Sequence, residues 1–150
     1  MKLAESVSAA LLKAVFKREA GKLEEARQEL AGSMEKYTGL KYSVVKQGDA
    51  ASLMMLLGIN DSLYPGKCLV LARMLAEEAE ISAAAGGADE ARDSYAKSLM
   101  LYMEALKRGA GESKKTGIDA DIRRVIGKLE KYGFTEAERT AVEKYTDGVL

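Results

Sequence analysis

Two segments of this chain are written to one pattern. GKLEEARQEL (Gly21 to Leu30) and GGADEARDSY (Gly86 to Tyr95) each run from glycine through acidic residues and Glu-Ala-Arg to a bulky apolar residue. Aligning Ala26 with Ala91 also superposes Glu25 on Glu90, Arg27 on Arg92, Leu30 on Tyr95 and Ser33 on Ser98. The pattern has a physical logic. Glycine stops one helix by turning left-handed, and the acidic residues occupy the first turn of the next, where the helix dipole favours them. The small alanine lets the second helix approach the first closely, and the bulky residue one turn on fills the space between them. The pattern therefore predicts two tight helical hairpins, and Gly133 to Ala137 reads as a shorter version of the same device.

The rest of the chain agrees with an all-α fold. It holds one proline in 150 residues and is rich in alanine, leucine, glutamate and lysine, residues that lose little rotamer freedom in a helix. Apolar spacings of three and four mark the helices. In residues 3–19 the stripe is Leu3, Val7, Leu11, Ala14 and Val15, widened by Leu12 and Phe16. Residues 22–36 align Leu23, Ala26, Leu30, Met34 and Tyr37. The helix over 65–85, begun by Pro65, carries apolar residues on more than one side. Its successor over 88–108 aligns Ala88, Ala91, Tyr95, Leu99, Tyr102 and Leu106. After the loop RGAGESKKTG (108–117), a stripe from Ile118 through Ile122, Val125, Ile126 and Leu129 to Tyr132 makes another helix. Thr135 and Glu138 have capping-box spacing and start a last helix with Ala137, Ala141 and Tyr145 inward.

The expected architecture is one domain over 1–150 with about seven helices in antiparallel hairpins at about 2–37, 65–108 and 118–148. Segment 38–64 is irregular around a short helix, AASLMMLLG, capped by Asp49 and apolar nearly all round. That composition predicts burial on all sides.

Several functions are disfavoured by what the chain contains. Twenty-three basic residues balance twenty-three acidic ones, so neither nucleic acid nor an anionic membrane is an expected partner. The only cysteine, Cys68, cannot form an intrachain disulfide, which points to a cytoplasmic protein. The chain has no histidine, so Ser-His and Cys-His pairs are impossible and zinc has no plausible ligand set. Cys68 reads as a buried structural residue. Carboxylates on helix faces, such as Glu77 with Glu80 near Arg73, read as solvated ion pairs. No acidic pair falls on an otherwise apolar stripe, where a perturbed carboxylate would show itself. GAGESKKTG lacks the P-loop spacing and a preceding strand. No metal or cofactor is expected. Tyr95, Tyr102, Tyr132 and Tyr145 read as core residues, and Tyr37, Tyr42 and Tyr64 as candidates to face a partner.

The repeated pattern resembles tetratricopeptide repeats. Residues 72–105 match best, through Leu75, Ala79, Gly86, Ala91, Tyr95 and Ser98, and residues 7–40 match through Ala14, Gly21, Ala26, Leu30 and Ser33. The closing proline of the repeat is absent, and the two units lie 65 residues apart rather than one repeat of about 34. The whole is similar to short bacterial proteins with tetratricopeptide-like hairpins. This resemblance implies a short right-handed solenoid with a concave groove. Leu11, Val15 and Arg18 would line it from one hairpin, and Arg73, Ala76 and Glu80 from another. The implied role is a non-catalytic interaction module or scaffold for a protein or peptide, or for a second copy of the chain. The alternative is a helical bundle that binds or transforms a small molecule through carboxylates and tyrosines.

Overall fold

The computed structural model describes residues 2–110 and 117–148, with side chains from Glu5 onward. Leu3 as a stripe residue and segment 111–116 of the predicted loop lie outside those described. Eight helices and no strand occur among the described residues: α1 (Lys2–Glu19), α2 (Leu23–Thr38), α3 (Tyr42–Gln47), α4 (Ala50–Leu57), α5 (Tyr64–Ala84), α6 (Ala88–Lys107), α7 (Ile118–Glu130) and α8 (Glu136–Thr146). The helix absent from the sequence reading is α3.

The repeated phrase builds the same turn twice. Gly21 N–H donates to Arg18 C=O and Lys22 N–H reaches back to Lys17 C=O. Gly86 and Gly87 do the same with Ala83 and Ser82. Both central glycines are left-handed, at φ +79° and +85°, a conformation costing an L-residue roughly 1–2 kcal/mol. Ala26 and Ala91 are fully buried at the crossings that follow. Gly133 does not repeat the device. It is left-handed too, but the long back-reaching bond does not recur there among the described residues, and Ala137 is exposed. Glu138 is the residue α8 buries instead.

The α5–α6 hairpin is the centre of the molecule. Leu71, Met74, Leu75, Leu99 and Leu101 are fully buried there. The α1–α2 hairpin packs on α5, while α7 and α8 rest on α6 and α4 lies across both central helices. No described helix is long and apolar enough to cross a membrane.

Three expectations about burial are corrected by this layering. Helix α4 buries only Leu53 and Leu57, and leaves Met55 and Leu56 exposed, because nothing covers its outer face. Leu12 and Phe16 point away from the core, since α1 is packed on one side only. Ala88, in the first turn of α6, is likewise exposed. Among the tyrosines, Tyr64 is buried and donates to Glu104 at 2.7 Å, so it does not face a partner. Tyr132 is exposed at the rim of Tyr95, with ring centroids 6.4 Å apart.

Candidate functional site

The α1 and α7 helices flank α5 at a distance that leaves a trough between them. It encloses about 550 Å³. Leu11, Val15, Arg18, Arg73, Ala76 and Glu80, which the resemblance puts in one groove, all line it. The α6 and α7 helices add Tyr95, Tyr102, Asp121, Arg124, Val125 and Lys128. The resemblance drew the groove from the first helices of the first two hairpins only, and so omitted these. A signal was present: positions 121, 124 and 128 follow one helix face at spacings of three and four, and three charges there rim the apolar stripe of α7.

Leu11, Val15, Ala76 and Val125 give the trough an apolar floor. Four cations (Arg18, Arg73, Arg124, Lys128) and four carboxylates (Glu19, Glu77, Glu80, Asp121) surround it. At one end the charges are spent on each other. Arg18 grips Glu77 with two bonds, Nε to Oε2 at 2.6 Å and Nη2 to Oε1 at 3.2 Å. Glu80 accepts from the Tyr95 hydroxyl and pairs with Lys128 at 3.5 Å. At the other end Arg73 donates from Nη2 to the Ser8 hydroxyl at 3.1 Å. Tyr102 of α6 shares this end with Asp121 and Arg124, which lie one turn apart on α7.

Glu77 overturns the expectation that no carboxylate is perturbed. It is 7 % exposed, and burial raises its pKa although the bonded Arg18 pulls the other way. The same bond, foremost, raises the pKa of Arg18. Its neighbour Glu78 is fully buried. Lys46 of α3 approaches Glu78 Oε2 at 3.1 Å, the Ser82 hydroxyl donates to it at 3.0 Å, and Arg27 stands 3.6 Å away. Oε1 has no partner. Both glutamates are buried because α5 is covered on two sides. The signal was arginine in the flanking helices facing adjacent acids on α5. Arg27 and Arg92, equivalent in the repeated phrase, both reach into a neighbouring element. Arg92 binds Glu138 at 2.7 Å and the Gly133 carbonyl at 3.1 Å.

Burial, and after it the Glu80 hydrogen bond, raises the pKa of Tyr95; burial and the Asp121 charge raise that of Tyr102. Both phenols stay protonated, and that of Tyr95 donates to Glu80. Cys68 lies outside the trough, buried beside Tyr64, and burial pushes its thiol up to about 11, so little thiolate forms near neutrality. The motif GAGESKKTG falls largely on residues outside those described. A second hollow of about 350 Å³ lies between α1 and α2 over Ala9, Ala10 and Gly32.

No protein-family model matches the chain, and neither a curated protein nor a solved structure matches it significantly.

Proposed function

We propose that this chain is a non-catalytic interaction module of tetratricopeptide-like type, its hairpins forming a short right-handed solenoid whose trough receives a segment of another protein. The observation that carries the reading is the meeting of all six expected groove residues in one trough lined by α1, α5 and α7. These are the first helices of successive hairpins, which line the hollow side of helical-repeat stacks. Mixed charge around an apolar floor suits a peptide, which brings both side-chain types and backbone polar groups.

Glu77 is the one observation on the side of a small-molecule-binding or enzymatic bundle, since a buried carboxylate of raised pKa is what acid–base work requires. Both its oxygens are held by Arg18, which favours a structural role. Self-association through the trough is a variant of the first reading, and light scattering separates it.

The test is affinity capture from the native cell with the wild-type chain and an Arg73→Glu/Glu80→Arg variant of verified melting temperature. Partners retained by the first and lost by the second support the docking reading. Identical recovery sinks it.

A further inference from the structure

The charges of the trough are not equally occupied. Arg18 and Lys128 are spent on Glu77 and Glu80. Arg73 gives one nitrogen to a neutral hydroxyl, and Arg124 has no ion pair among the described residues. Between them stands Tyr102, 1 % exposed. Its hydroxyl lines the cavity and has no hydrogen-bond partner among the described residues. That hydroxyl is open to the trough, where a ligand group can meet it. Asp121, Arg73 and Arg124 all act electrostatically on this phenol, and the four side chains, from α5, α6 and α7, line one trough.

Resting on the docking reading, we infer that Arg73, Arg124 and the Tyr102 hydroxyl anchor one carboxylate of a partner peptide: an internal aspartate or glutamate side chain flanked by apolar residues. Guanidinium forks fit a planar carboxylate. Two arginines against Asp121 leave a single positive charge, which matches a monoanion and not a phosphoryl dianion. The apolar flank of the peptide lies on Leu11, Val15, Ala76 and Val125, beside the anchor.

The test uses fluorescence anisotropy with the full chain and a panel of acetylated, amidated nonapeptides. Each carries one central glutamate among varied apolar residues and has a glutamine twin. The best glutamate peptides bind about tenfold more tightly than their twins, the scale of one charge-assisted contact. Arg73→Gln and Arg124→Gln each abolish most of that preference. Tyr102→Phe, which keeps the buried ring, reduces the preference about threefold. The anchor is overturned if the twins bind alike, if the variants do not change the preference, or if a glutamine peptide with a free C-terminal carboxylate binds better than the glutamate peptide. Binding that ignores charge but is blocked by Ala76→Arg removes the anchor and keeps the docking reading. If no peptide of either panel binds, the docking reading falls too.

Discussion

Glu77 and Glu78 are consecutive on α5 and are buried in different company. Glu77 faces α1 and is held by both forks of Arg18; Glu78 crowds one oxygen with Lys46, Arg27 and Ser82 and leaves the other unpartnered. Taking one partner from a buried ion pair costs more than the pair contributes, because the remaining charge stays out of water. Arg18→Met should therefore destabilise the chain by about 2–3 kcal/mol at pH 7, somewhat less than a wholly buried pair because Arg18 keeps part of its surface in water. The pH dependence has a definite sign. The folded-state pKa of Glu77 is raised, so protonation favours the native state, and that contribution is lost as pH rises through the folded value. Without Arg18 the value rises further. The deficit is thus largest at pH 7–8 and shrinks as pH falls toward 5. Urea denaturation at pH 5 and 8 measures it, and an equal deficit at both excludes an ionised Glu77 as its source. Glu77→Gln should cost less and vary little with pH.

At the scale of the element, α3 is six residues long, too short to persist by its own hydrogen bonds. It is held from outside. Lys97 of α6, almost wholly buried, donates from Nζ to the Val45 and Lys46 carbonyls at 3.0 and 2.9 Å, where α3 ends. Lys97→Met should strip those carbonyls of their partner, cost about 1–3 kcal/mol, and speed hydrogen exchange at least tenfold over residues 42–57 while α5 is unaffected. Uniform acceleration along the chain would show that Lys97 acts on global stability alone. The sequence could not announce α3, because Tyr42 to Gln47 is too short to display a period and glycines flank it. Nor could it announce the full buried face of α6, which includes Ser94, Lys97 and Ser98 as well as apolar residues. The stripes of α2, α5 and α7 were legible because most of their buried positions are apolar and recur every three or four residues. Helix α4 was misjudged for a related reason: hydrophobicity on all sides states what a helix tolerates, not how many neighbours it has.

For the molecule as a whole, the central hairpin carries most of the burial and the flanks much less. Among its described residues, α8 buries only Glu138. Amides in the middle of α5 and α6 should exchange only through global unfolding, and those of α8 through local opening at much lower free energy. Native-state exchange over a urea series tests this; protection in α8 equal to that in α5 would contradict it. The tight turns at Gly21 and Gly86 were readable from the repeated phrase, since few other residues stand left-handed and the alanine beyond must be small. The charged face of α7 was marked by its spacing, but its meeting with the trough was not readable, since that depends on how the third pair leans on α6.

Glu77 and Glu80 lie one turn apart on α5, and each fastens an opposite wall of the trough: Arg18 of α1 to the first, Lys128 of α7 to the second. The two walls are thereby riveted at a common joint. Arg73 lies four residues earlier on the same helix, a rise of about 6 Å from Glu77. On the docking proposal, a guest is measured from that joint, in the manner of a ruler pushed against a stop, and chain length beyond its charged group becomes a criterion of fit in its own right.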